Sequence, residues 1–245
     1  MLGINWFSSG QIALARNSNV FLLAKWIEEG PALSYLSQAC PAIHYSLCAH
    51  LDELPSLDQD ALKWSGESPF YKVGGLDTLE PEARRIVWAV VRSQPLAIVQ
   101  KALADVGRQL LRFEIGEGLT PEAVQLVVLY TREVLHPQVA NSLLQSKQAE
   151  GRLPIREFRQ LHIFGLLLGC ALSLILLIVR RRPLPRRLAA FYIFVVLVIF
   201  WNAIVTGTLS GPFDRYLARV VWLISFSGLL GLLYLMRVSA RKAGE

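Results

Sequence analysis

Acidic residues almost vanish from the last third of this chain. Residues 161–245 carry 2 Asp/Glu against 10 Lys/Arg, whereas residues 1–160 carry 17 against 15. The net charge of +6 therefore belongs to one segment and is not spread over a nucleic-acid-binding face. Cysteine is scarce too. Three residues, Cys40, Cys48 and Cys170, exclude a disulfide-dense scaffold and a four-cysteine zinc knuckle outside the membrane-like region. No N-x-S/T sequon occurs, and no repeat or low-complexity tract is visible. Runs of alternating polar and apolar residues are also missing, which argues against a sheet. The opening MLGINWFSSGQIALARNSN has neither a basic leader nor a long apolar core, so it does not read as a cleavable export signal.

What the chain has in excess is apolar length. Hydrophobic residues make up 53% of 245, and the mean hydropathy is +0.39. Leu161–Val179 is a 19-residue run with one His and no full charge, followed by five Arg between Arg180 and Arg187. As a helix this run spans roughly 28 Å, about the thickness of a bilayer's hydrocarbon core. Further apolar runs cover about 188–209 and 220–236. The expected architecture is all-α. Residues 1–155 form a helical, soluble-looking domain, and residues 156–245 form a membrane domain with three spans.

Helix signals punctuate the first part. Val20–Glu29 reads as a short helix stopped by Gly30-Pro31, and Pro31 opens the next, PALSYLSQA. Residues 52–77 read as a loop with turns. Thr78–Glu82 precedes RRIVWAVVR, and Ser93-Gln94-Pro95 precedes a longer helix. In that longer helix Val99, Ala102, Leu103, Val106, Leu110 and Phe113 share an apolar face, with Asp105 and Arg108 on the polar side. Thr120-Pro121-Glu122 opens another helix, and Pro137 begins a last one ending near Gly151.

Several groups of residues are candidates for chemistry. Cys40, His44, Cys48 and His50 place four metal-ligand types in eleven residues. On one continuous helix Cys40 and Cys48 would stand about 12 Å apart, too far for a disulfide, but Pro41 allows an irregular path. A disulfide is the favoured reading, with buried thiols and zinc as alternatives. Trp64, Phe70 and Tyr71 lie in a Gly/Pro/Ser-rich loop, where aromatics stack on a ligand or plug the loop onto the core. Asp52, Glu53, Asp58 and Asp60 read as a solvated acidic loop. Gly165 and Gly169 form G-x-x-x-G in the first span, and Ser227 and Gly231 give the third a similar notch, the pattern of close helix packing. Asn202 in the second span fits a bond to a neighbouring helix. Asp214 and Arg215 fall in the short connection SGPFDRYLAR, at membrane-surface level. Arg215 suits a lipid phosphate, while a local pair or a helix N-cap is the plainer role. No catalytic residue, metal or cofactor is implied. The expected partners are membrane lipids and other membrane proteins, not nucleic acid.

At Asn19–Lys25, at Gly30-Pro31, from Cys40-Pro41 through Cys48 and at SGPFDRYLARVVWL, the chain resembles a group of polytopic envelope proteins of proteobacteria. Their general look is similar to glycosyltransferases that use lipid-linked sugars. The resemblance implies further spans ahead of the part seen here and an inner-membrane location. In such transferases the catalytic carboxylate lies in an early outer loop, for which this chain has no early spans. The resemblance thus implies a non-catalytic component of an envelope assembly for glycan or lipid handling, or the C-terminal portion of such a transferase.

Orientation follows from charge. The Arg180–Arg187 loop and the tail with Arg237, Arg241 and Lys242 belong in the cytoplasm by the positive-inside rule. That places residues 1–160 on the outer side, the periplasm of a Gram-negative cell. Arg152, Arg156 and Arg159 oppose this export, so the expectation includes upstream spans, with full inversion as the alternative.

Overall fold

The computed structural model describes residues 16–131, 136–179 and 183–243. Arg180–Arg182 and the N-terminal fifteen residues, both used above, lie outside the described residues, as do the side chains of Arg241 and Lys242. The described residues are predominantly helical and contain no strand. The chain divides into two compact units, residues 1–103 and 104–245.

The first unit is a helical domain. Helix α1 (Ser18–Glu28) leads through Gly30 into α2 (Pro31–Ala39). Gly30 has φ 103°, a value only glycine adopts readily, and Pro31 starts the next helix with φ already set. Two short 3₁₀ turns follow at Ser46–His50 and Leu54–Ser56. The stretch expected to be loop then contains α3 (Gln59–Trp64) and α4 (Pro69–Lys72), before the long α5 (Leu76–Ser93). Val20, Leu23, Ala24 and Ile27 of α1 recur at helical spacing and face Leu79, Ala83, Ile86 and Val90 of α5, all buried. Leu36, Leu47, Leu54, Leu62 and Phe70 complete that core with no exposed surface. Lys25 is also buried, and its ammonium lies 3.5 Å from the Glu29 carboxylate one turn on.

Helix α5 begins two residues before Thr78, upstream of the expected start, and carries Pro81 inside its second turn. Its early carboxylates explain the extension. Asp77 accepts from Asn17 at 2.8 Å and pairs with Arg16, while Glu80 accepts from the Asn19 side chain and the Val20 amide. These contacts bind the start of α5 to the start of α1.

Cys40 and Cys48 are disulfide-bonded, with Cα atoms 5.5 Å apart. The chain leaves α2 at Ala39, turns through Ala42 and Ile43, and comes back in the 3₁₀ turn at Cys48, so the two thiols are not on one helix. Glu82 of α5 fastens the returning segment by accepting from the Ser46 amide at 3.0 Å and its hydroxyl at 2.8 Å. Inside this loop the Tyr45 and Tyr35 hydroxyls are 3.2 Å apart. Burial, then the hydrogen bond with Tyr35, push Tyr45 from the ordinary 10.0 up to about 12.

Helix α6 (Pro95–Leu110) contains the division between the units. Beyond it, α7 (Pro121–Thr131) and α8 (Pro137–Leu144) form a short antiparallel pair, and α8 ends well before Gly151. A turn closed by the Arg152 amide on the Lys147 carbonyl, at 2.8 Å, redirects the chain there. Then come α9 (Ile155–Val179), α10 (Arg186–Leu209) and α11 (Asp214–Ala243). All three are long and apolar enough to cross a membrane, and the chain is a multi-pass membrane protein. Only four residues, Ser210–Phe213, connect α10 to α11, so SGPFDRYLAR is mostly helix and not a ten-residue loop. Hydropathy places span ends where charge begins, whereas the backbone helix continues through charged turns in the headgroup region.

Close helix contact in this bundle depends on glycine. A Cβ on Gly169 of α9 would fall 2.5 Å from the Cα of Ser225 in α11, and one on Gly228 would fall 2.5 Å from the Gly169 carbonyl oxygen. Gly165 is less critical, since its nearest neighbour is the Ser225 hydroxyl at 3.7 Å. Gly231 makes room for Tyr192 of α10, whose hydroxyl donates to the Ser227 carbonyl at 2.8 Å. The Ser227 side chain turns back to its own helix, donating to the Leu223 carbonyl. Such small-residue contacts and interhelical hydrogen bonds hold helices together where lipid removes the hydrophobic drive between them.

Two outcomes follow. Gly169→Ala should destabilise the bundle by about 1–3 kcal/mol through overpacking, while Gly165→Ala stays near wild type; thermal unfolding in detergent compares them, and equal melting would refute the crossing. Tyr45 stays neutral in the fold up to about 12 but ionises near 10 when unfolded. Its contribution is present below about pH 10 and is lost as pH rises from there through 12, so Tyr45→Phe should flatten the alkaline fall in melting temperature.

Candidate functional site

The polar groups of the second unit concentrate at one end of the membrane helices. There the end of α6 and the segment after it meet the four-residue connection before α11. Gln109 is fully buried and holds Phe213 by both backbone groups. Its amide nitrogen donates to the Phe213 carbonyl at 2.9 Å, and its amide oxygen accepts from the Phe213 N–H at 2.9 Å. Arg112 donates to the Pro212 carbonyl at 2.7 Å. Asp105, also fully buried, pairs with Arg108, and its backbone lies so near Gly207 of α10 that a Cβ there would stand 3.1 Å from the Asp105 carbonyl oxygen.

This shifts the buried face of α6 from the expected one, although Ala102, Val106 and Leu110 stay half-buried and Gln100, Lys101 and Arg108 stay exposed. Its buried residues are Asp105 and Gln109, while Val99 and Leu103 are exposed. The turn of backbone before α11 needs hydrogen-bond partners, and a buried amide satisfies it where an aliphatic side chain does not. A long apolar stripe therefore stays outward.

Asp214 and Arg215 sit at the start of α11. Asp214 accepts from the Glu114 amide at 3.0 Å, and the Arg215 amide donates to Glu117 at 2.8 Å. A negative group in the first turn also faces the positive end of the helix dipole. Glu114 further meets Arg159 at 3.2 Å. His162 of α9 donates from Nε2 to the Phe113 carbonyl at 3.0 Å, which fixes its tautomer. Asn202 donates to the Tyr216 carbonyl at 3.0 Å, the neighbouring-helix role expected of it.

The carboxylates here are engaged by backbone amides, by Arg108 or by Arg159. The Arg215 side chain has another environment. Its guanidinium stacks 4.5 Å from the Phe213 ring centre and 5.2 Å from that of Tyr216. Arg219, one turn on, lies 5.0 Å from the same Tyr216 ring centre, and its Nε donates to the Arg215 carbonyl. Both arginines are exposed, and neither forms an ion pair with a carboxylate among the described residues. Trp222, nearly one helix turn further toward the apolar stretch, donates its indole N–H to the Arg219 carbonyl at 2.9 Å. Planar cations stacked on rings, with an indole beneath, match the polar-to-apolar gradient of a bilayer interface.

The remaining candidates belong to the first unit. Trp64 ends α3 half-exposed, its ring 5.8 Å from that of Phe21, and the Tyr71 hydroxyl donates to the Lys63 carbonyl at 3.2 Å. Phe70, between them, is fully buried. In the acidic loop, Asp58 caps α3 by accepting from the Ala61 amide at 2.7 Å, and Asp60 pairs with Lys63 at 2.9 Å. Glu53 accepts from Lys72 and meets His50 at 2.9 Å; those hydrogen bonds hold its carboxyl below the usual carboxylate range. With Cys40 and Cys48 bonded together, and no cluster of three or more His, Cys, Asp or Glu side chains among the described residues, no set of metal ligands is assembled there.

Sequence reading passed over Gln109, Glu114, Glu117, Arg219 and Gly228. Two of them carried a signal. Arg219 repeats Arg215 at i+4, and Gly228 adjoins the small residue Ser227. Gln109 and Glu117 bond to backbone about a hundred residues away, and the Glu114 amide donates to the equally distant Asp214 side chain, which no local pattern encodes. No family model matches the chain, and neither the curated proteins nor the solved structures include a significant match to it.

Proposed function

We propose that this chain is a non-catalytic component of a cell-envelope assembly, anchored in the inner membrane, which holds its helical domain on the outer side and grips a lipid phosphate with Arg215 and Arg219. The observation that carries the reading is the division of labour at the end of the bundle. Asp214 and Glu117 accept from backbone amides and Glu114 pairs with Arg159, so they are structural carboxylates and not a displayed acid/base pair. The arginines beside them are left exposed over aromatic rings at the head of a membrane helix. A guanidinium in that position suits a phosphate by charge and by its fork of donors.

Arg186 and Arg187 open α10 at the end opposite Ser210, and Arg237 lies in the last turns of α11. The positive-inside rule supports a cytoplasmic location for those ends and an outer location for Arg215. Reporter fusions after residue 150, at 183 and at the C-terminus should give an outer signal at the first and cytoplasmic signals at the other two. An outer signal at 183 would invert the protein and remove the periplasmic reading.

Lipid binding is tested separately. Arg215→Ala with Arg219→Ala should lower the phospholipid retained through purification several-fold, read by native mass spectrometry, without loss of folded protein. Arg215→Lys should retain part of it, since charge remains and the fork is lost. Unchanged lipid in the double variant would leave both arginines without this role.

A further inference from the structure

The first unit presents a second cationic surface, remote in sequence from Arg215. Helix α5 carries six charged side chains of interest, three of each sign. Its carboxylates are all occupied. Asp77 is held by Arg16 and Asn17, Glu80 by Asn19 and the Val20 amide, and Glu82 by Ser46 and the Leu47 amide. The arginines are not. Arg84, Arg85 and Arg92 are exposed, and none pairs with a carboxylate among the described residues. Trp88 stands among them with 53% of its surface exposed, and the four side chains line one open depression with Ala89.

Helical geometry explains the grouping. At 100° per residue, positions 84, 88, 92 and 85 fall within about 100° of the helix circumference. The opposite side holds Ala83, Ile86 and Val90 in the core. Glu80 and Glu82, the acids one turn before Arg84 and Arg85, are taken by the start of α1 and by Ser46. A local charge of three positives thus sits on a segment, residues 1–160, that carries more Asp/Glu than Lys/Arg in total. Placing an indole among uncompensated guanidinia has no packing benefit to the domain, since Trp88 is more exposed than buried.

We infer that this face of α5 docks onto the anionic headgroup surface of a bilayer, with Arg84, Arg85 and Arg92 on phosphates and Trp88 as the interfacial wedge. Two observations favour lipid over a dissolved polyanion. Exposed indole beside arginine is the composition of membrane-interface contacts, in which one side of the side chain is apolar and the other wet. Helix α6 follows directly with Leu96, Val99 and Leu103 exposed at i, i+3, i+7, an aliphatic stripe with no use for a polyanion in water. Three membrane helices on the same chain keep the domain near a bilayer, so a weak surface contact is enough to be occupied.

The test uses the full chain in nanodiscs that contain phosphatidylglycerol with a photoreactive headgroup. After illumination, peptide mapping should find adducts on the segment bearing Arg84–Arg92, with adducts on α9–α11 as the internal control. Labelling of α5 should fall on the order of tenfold in Arg84→Glu/Arg85→Glu/Arg92→Glu, and in raised salt as the Debye length shortens from about 10 Å at 0.1 M to about 3 Å at 1 M. The Arg→Lys triple variant should keep most labelling, and Trp88→Ala should lose part of it without charge change. Retained helical signal and an intact Cys40–Cys48 bond certify folding of each variant. Absence of adducts on α5 while the spans are labelled, or labelling equal in the charge-reversed protein, overturns the inference. Both results are independent of Arg215, so the bundle-end lipid site stands or falls apart from this one.

Discussion

A backbone amide or carbonyl that leaves a helix near a bilayer must find a partner within the protein, because lipid supplies none. The connection between α10 and α11 is where this constraint is most severe. Gly211 is buried there with φ 110°, and Pro212 cannot donate. The protein answers mainly with groups from a segment about a hundred residues upstream. Gln109 acts as a strand would, giving one donor and one acceptor to Phe213, while Arg112, Asp214, Glu114 and Glu117 complete the set. The position of Arg215, and so any lipid chemistry, depends on these bonds.

The first unit solves a related problem with carboxylates. Asp77 and Glu80 reach across to the start of α1 and Glu82 to the disulfide loop, tying both to one helix. Exposed ion pairs contribute little to stability individually. Hydrogen bonds to backbone amides fix geometry more firmly, and they leave the arginines of the same helix available to something outside the domain.

The fold was legible from the sequence where a single physical signal dominated. Three apolar runs of bilayer length predicted three membrane helices, Pro31 and Pro137 marked helix starts to the residue, and Pro95 and Pro121 lay within the start signals of two more. Cys40 and Cys48 were harder. Their spacing alone left disulfide, thiols and zinc open, because the answer lies in the chain reversal after Pro41 and not in the interval. The face of α6 was misread for a deeper reason. Amphipathic patterns assume that water covers the polar side, but here a buried backbone turn needed Gln109 more than the core needed Val99 or Leu103. The start of α11 at Asp214 escaped hydropathy because its first turns are charged, although they are fully helical.

The brevity of Ser210–Phe213 also bears on how the bundle meets membranes of different thickness. Four residues give no slack for one helix to slide along the other, and the Tyr192 hydroxyl, bonded to Ser227 across Gly231, fixes the same register deeper in the bundle. Helices α10 and α11 are therefore coupled in depth. A thicker or thinner bilayer is matched by tilting the pair as a unit or by deforming the lipid around it, not by shearing the pair.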